Sequence, residues 1–209
     1  MTYNEYMKSL WRKIVLWLMQ SIVYRYLITN VIPYIRFTTY YTSLRGWKYF
    51  RGYKKLEAGD IVLTLDRKKL TSMLIPGEVT HAALCVAKKE EWEIAEMTHS
   101  NFCHSNFFDI CKESDRVVIL RCKDWDEVYT KQVIEKCKTF KDATYDIEFG
   151  LGIKALYCSE LVYQADFERR LEISTEDLAG IGRQYISPTG LLKALNCDTI
   201  WDSDDESQS

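Results

Sequence analysis

Tyr157-Cys158-Ser159-Glu160-Leu161-Val162 is the stretch on which the fold turns. A cysteine enters good helix-forming sequence directly behind a loop that contains Gly150 and Gly152. A helix drawn from Cys158 to Leu171 places Cys158, Leu161, Val162 and Ala165 on one face. The first turn of a helix offers N–H groups without intrahelical acceptors and the positive end of the backbone dipole, and both favour a thiolate. The same N–H groups suit an oxyanion. On position alone, Cys158 reads equally as a nucleophile and as a buried thiol covering a helix face.

A thiol nucleophile needs a base, and the chain has three histidines. His99 and His104 fall in what reads as a polar loop. His81 opens the apolar run Ala82-Ala83-Leu84-Cys85-Val86, where a sheet would hold its ring in place. Ordinarily a lone histidine at a strand end is structural; the scarcity of histidine and the setting of Cys158 favour His81 as the base. A carboxylate should then orient the imidazole. If His81–Ala87 and Trp92–Met97 form a hairpin through Lys88-Lys89, Glu96 lies opposite His81, or diagonal to it if the loop is two residues wider. In either register Glu96 shares the face of His81, and Glu93 points to the other.

Further runs bound the domain. Asp60–Leu65 and Arg116–Arg121 read as two more strands, and Trp125–Phe140 carries apolar residues at helical spacing with Asp124 and Glu127 as a capping box. Another helix opens at Ser187-Pro188. Toward the N-terminus, residues 5 to about 30 read as one helix that Pro33 closes or kinks. Strands followed by helices imply an α+β fold. The divisions are a helical extension over 1–55, a catalytic domain over 56–200 and an acidic tail over 201–209, disordered from about Asp202 onward.

The fragments Leu56-Glu57-Ala58-Gly59-Asp60-Ile61-Val62, Thr80-His81-Ala82-Ala83-Leu84, Ile94-Ala95-Glu96, Tyr145-Asp146 with Phe149, and Tyr157-Cys158-Ser159-Glu160-Leu161-Val162 resemble the YiiX/YebB-like branch of the permuted NlpC-type papain-like superfamily. The order supports the likeness: papain-like enzymes ordinarily place Cys before His, whereas His81 precedes Cys158 by 77 residues. The resemblance covers about residues 56–166, with a weaker echo at Ser187–Leu195, and residues 1–55 match nothing known. It implies a circularly permuted papain-like fold, a small antiparallel sheet packed on helices, with Cys158, His81 and Glu96 as the catalytic set. The implied activity is cysteine hydrolysis of an amide or ester carbonyl in a peptide-like or acyl-amide substrate. No cofactor is implied. The same dyad would serve a lipid or protein acyltransferase. A non-catalytic binding module is another alternative, although the intact Cys, His and Glu set argues against it. A zinc-binding protein is a third, because His99, Cys103, His104 and Cys111 are ligand types in the segment 98–114; their spacing lacks paired ligands.

Composition narrows the setting. With 209 residues and 47% hydrophobic content, one globular domain with an extension is expected. Seven cysteines, an odd number without a CxxC pair, argue against a secreted disulfide framework and for a reducing, cytoplasmic compartment. Residues 1–55 hold ten Lys or Arg against one acid, net +9, while the remainder holds 18 basic and 29 acidic residues, net −11. The first part also holds 14 of the 28 aromatics. This arm is expected to pack on the acidic body, with contact to a membrane surface or a protein as a subsidiary role. The apolar run from Ile14 to Tyr24 is eleven residues, short of the ~20 that cross a bilayer, and lacks the flanks of a cleaved signal. No nucleic-acid partner is expected.

Overall fold

The computed structural model describes residues 3–35, 44–70, 72, 75, 77–177 and 182–205. Residues 1–2 and 36–43 of the extension and 206–209 of the expected tail lie outside the described residues. At the centre stands one six-stranded antiparallel sheet. Its strands are β1 (Ile61–Leu65), β2 (His81–Lys88), β3 (Trp92–Thr98), β4 (Asn101–Asn106), β5 (Arg116–Cys122) and β6 (Cys197–Asp202), in the order β6-β5-β1-β2-β3-β4. The central strands are apolar on both faces because both faces are covered. Ile61, Leu63, Ala82, Leu84, Ala95, Met97, Val118 and Leu120 enter one core, and Val62, Ala83, Cys85, Ile94, Val117 and Ile119 enter a second.

The first core is roofed by α5 (Glu127–Lys138), α6 (Cys158–Ala165) and α7 (Pro188–Leu192). The second is closed by α4 (Phe107–Glu113) and by Tyr49 and Tyr53 of α3 (Trp47–Lys55). Helix α3 therefore belongs to the body, although it precedes the expected boundary at residue 55. Gly52 is what lets it approach: a Cβ there would stand 2.7 Å from the Trp201 ring. Leu44 is also buried in this second core.

Several sequence expectations are corrected. The N-terminal helix is two helices, α1 (Tyr3–Gln20) and α2 (Ile22–Asn30), bent by 65° where Ser21 interrupts them. A short 3-10 turn at Ile32–Tyr34 carries Pro33. The cap of α5 is Asp126, whose Oδ1 accepts the Tyr129 N–H at 2.9 Å; Asp124 instead accepts from the Asn196 amide. Helix α6 stops at Ala165 rather than Leu171, because Asp166 turns back to accept the Leu171 N–H at 2.8 Å and the Tyr129 hydroxyl at 2.6 Å. His104 is not in a loop but on β4, a strand the sequence pattern hides. The acidic tail begins later than residue 201. Trp201 and Asp202 pair with β5, and Ser203 is buried with its N–H on the Val117 carbonyl at 3.0 Å.

The arm also departs from expectation. Among the described residues of α1 and α2, Met19 is the one large apolar side chain that is buried, while Trp11, Trp17, Ile22, Val23 and Tyr26 are well exposed.

Candidate active site

The site is assembled from the start of β2, the middle of β3 and the start of α6. Glu96 pairs across the hairpin with Ala83, so the wider of the two registers holds and Glu96 is diagonal to His81. A bulge between Cys85 and Ala87 takes up the extra width. Parity puts both side chains on one face, and His81 Nε2 lies 2.7 Å from Glu96 Oε2. The other Glu96 oxygen accepts the hydroxyl of Ser105, which stands on β4. Glu96 is buried and His81 half-buried.

Cys158 is the first residue of α6 and is buried. Its sulfur stands close enough to the His81 side chain and to the backbone N–H groups of Ala82 and Ser159 for each to act on its ionisation. With Nε2 committed to Glu96, Nδ1 is the ring nitrogen left for the sulfur. Burial by itself would hold the thiol up and the imidazole down. Their mutual attraction outweighs it: Cys158 is lowered below its ordinary value and His81 is raised above its own. Burial likewise acts to raise Glu96, and its hydrogen bond to His81 overcomes this and lowers it. The pair is therefore biased to thiolate and imidazolium.

Local sequence explains why α6 starts there. Tyr157 is in extended backbone with its hydroxyl accepting the Ile186 N–H at 2.8 Å, and Ser159 donates to the Ile186 carbonyl at 2.7 Å. These bonds pin the helix start to the segment leading into α7. Ahead of it, Asp146 accepts the N–H groups of Glu148 and Gly150 at 2.8 and 2.7 Å, shaping the loop before Cys158. Glu160 Oε1 accepts the Gly152 N–H at 2.6 Å, while Oε2 is buried with no hydrogen-bond partner among the described residues. Burial pushes the Glu160 carboxyl up to about 7.

All three residues singled out from the sequence thus meet at one point. Ser105 and the Ala82 N–H were not foreseen. The hydroxyl sits on the hidden strand β4, and a backbone donor leaves no mark on side-chain pattern.

A family model described as permuted papain-like amidase enzyme, YaeF/YiiX, C92 family, matches residues 55–203. Among solved structures the chain is similar to the crystal structure of the metalloprotein yiiX from Escherichia coli O157:H7, at 14% identity and a TM-score of 0.61. That likeness covers 69% of this chain and 96% of the other. No curated protein matches the chain. Among the described residues no group of three or more His, Cys, Asp or Glu side chains is placed to hold a metal ion, so the donors here do not fit a metal of the kind the neighbour's description implies. His99, Cys103, His104 and Cys111 accordingly do not form the zinc site weighed from their spacing.

Proposed function

This chain belongs to the permuted papain-like amidase family, a family of cysteine hydrolases, and from that premise we propose that Cys158, His81 and Glu96 cleave an amide or ester carbonyl through a thioester. The observation that carries the proposal is the His81 imidazole, hydrogen-bonded to the Glu96 carboxylate at 2.7 Å and near enough to the Cys158 thiol at the start of α6 for each to shift the other's ionisation. The thiolate of Cys158 attacks the carbonyl carbon. The Cys158 N–H, in the first turn of α6 without an intrahelical acceptor, suits the oxygen on which negative charge develops. Imidazolium His81 then gives its proton to the departing amine or alkoxide as the C–N or C–O bond breaks, leaving an acyl thioester and a neutral imidazole. Water adds next: His81 takes its proton, the hydroxide adds to the thioester, the C–S bond breaks, and the carboxylic acid and thiolate are restored.

Glu96 keeps the ring in the orientation and tautomer that both steps need, and Ser105 supports Glu96. Intact-mass measurement after incubation with a panel of amide and ester acyl donors tests the scheme. An acyl adduct on the native chain that is absent from Cys158→Ala is the expected result. An adduct that persists in Cys158→Ala would overturn it.

A further inference from the structure

The mechanism makes no use of α1 and α2, yet among the described residues these helices carry the largest run of exposed apolar side chains. On α1, Leu10, Trp11, Ile14, Trp17 and Leu18 are all exposed, with Trp17 at 70%. At about 100° per residue these five fall within one sector roughly 120° wide. Met19, the buried residue, points to the opposite side. On α2 the same holds for Ile22, Val23, Tyr26 and Leu27, with Ile22 at 85%. Nine apolar side chains are therefore exposed along the bent pair, more than scattered surface residues account for.

The inward side is tied to the body next to the active-site loop. Arg25 pairs with Glu148, two residues beyond Asp146, and Arg183 donates to the Glu148 carbonyl. Tyr24 lies near enough to Tyr145 to influence its ionisation, and Tyr145 in turn feels Cys158. The Ile35 carbonyl accepts the Leu70 N–H at 3.2 Å, and the Tyr34 hydroxyl meets His99 at 3.2 Å. The outward face thus stands beside the loop that precedes the nucleophile.

We infer that this face docks on an anionic bilayer surface, with the two helices lying in the interface beside the catalytic site. Charge selects the occupant. Residues 1–35 hold four Lys or Arg against one acid, net +3, and the remainder holds 24 against 29, net −5, so an anionic surface attracts the helix pair and repels the body, which orients the molecule. A second copy of the chain would have to bring two net-positive helix pairs together. Lys13 is exposed on α1 at the edge of the apolar sector, the arrangement of an interfacial helix with indoles at the headgroup level. Among the described residues no single helix is long and apolar enough to cross a membrane, and the 65° bend suits a helix pair lying along a surface.

The test uses the full chain with vesicles of phosphatidylcholine alone or mixed with phosphatidylserine. Co-sedimentation and a blue shift of tryptophan emission are expected with the mixed vesicles. The triple variant Trp11→Gln, Trp17→Gln, Ile22→Gln alters exposed side chains and should keep the native melting curve and the native alkylation rate of Cys158. Its partition onto mixed vesicles should fall about tenfold or more, since each change removes a large apolar contact with the interface. Lys13→Glu should weaken binding to mixed vesicles and leave the low binding to phosphatidylcholine unchanged. Absence of native-chain binding to mixed vesicles would overturn the proposal. So would a dimer in sedimentation velocity that the triple variant abolishes while vesicle binding is unaltered, because the face would then belong to a second copy. The unchanged Cys158 alkylation keeps either result separate from the chemistry proposed for the site.

Discussion

At the scale of single residues the chemistry rests on a thiol and an imidazole that shift each other in opposite directions. Cys158 is lowered and His81 raised, so the ion pair is populated at pH values above the lowered thiol and below the raised imidazole. Alkylation of Cys158 by iodoacetamide should accordingly rise with pH at a point below the ordinary thiol range, ahead of the other six cysteines, of which Cys85, Cys111 and Cys137 are pushed up by burial. Turnover should fall again at alkaline pH as His81 loses its proton. In Glu96→Gln the imidazole loses the anion that helps hold its proton, so the alkaline limb should move to lower pH. His81→Ala should cost on the order of 10⁴-fold in kcat/KM or more, and Glu96→Gln roughly a hundredfold less than that. An unshifted alkaline limb in Glu96→Gln would remove Glu96 from the orienting role. That such a residue could be found in the sequence at all follows from the period of two in a strand. Parity holds for any even change of register, and the bulge near Val86, invisible in the sequence, corrects the odd width of the turn, so Glu96 still shares the face of His81.

At the scale of elements, legibility tracked burial. Strands β1, β2, β3 and β5 are near-continuous apolar runs because both sheet faces are covered, and such runs announce themselves. The edge strands do not. Asn101–Asn106 shows no buried residue, and its hydrogen bonds to β3 come from backbone groups that any polar sequence supplies. Trp201 and Asp202 read as the start of an acidic tail, and they end the strand Cys197–Asp202 because Trp201 finds a pocket against α3 and Arg116 holds Asp202 with bonds of 3.1 and 2.6 Å. Neither partner lies near them in sequence. The contact between α3 and β6 gives the element-scale prediction. Gly52→Ala would drive a methyl into the Trp201 ring, and overpacking of this kind costs about 1–3 kcal/mol. A Gly52→Ala chain as stable as the native one toward urea would mean that α3 is held less closely than the geometry indicates.

At the scale of the whole molecule, the chain divides by packing rather than at the charge boundary near residue 55. Neither core draws a buried residue from the described part of 1–35, whereas Leu44, Tyr49 and Tyr53 all pack in the second core. Helix α3 is bound further by the Trp92 indole donating to the Tyr53 carbonyl at 3.0 Å. Lys48 and Lys55 reach the Ser203 and Ile200 carbonyls, and Arg121 reaches the Lys55 carbonyl at 3.0 Å. The basic charge of residues 1–55 consequently serves two purposes: part of it fastens α3 to the C-terminal edge of the sheet, and part stands on α1 and α2 beside an exposed apolar face. Two truncations separate them. A chain lacking residues 1–35 should unfold within a few degrees of the native chain, having given up the Arg25–Glu148 pair and other contacts at the surface, where such pairs contribute about 0–1 kcal/mol. A chain lacking residues 1–55 exposes Trp92, Phe107 and Trp201, whose cover is α3. The loss of several aromatic contacts should cost roughly 3–5 kcal/mol and lower the melting temperature by about 10 °C or more. Equal melting temperatures for the two truncated chains would show that α3 contributes nothing to the body, and the second core would then have to be closed by α4 alone.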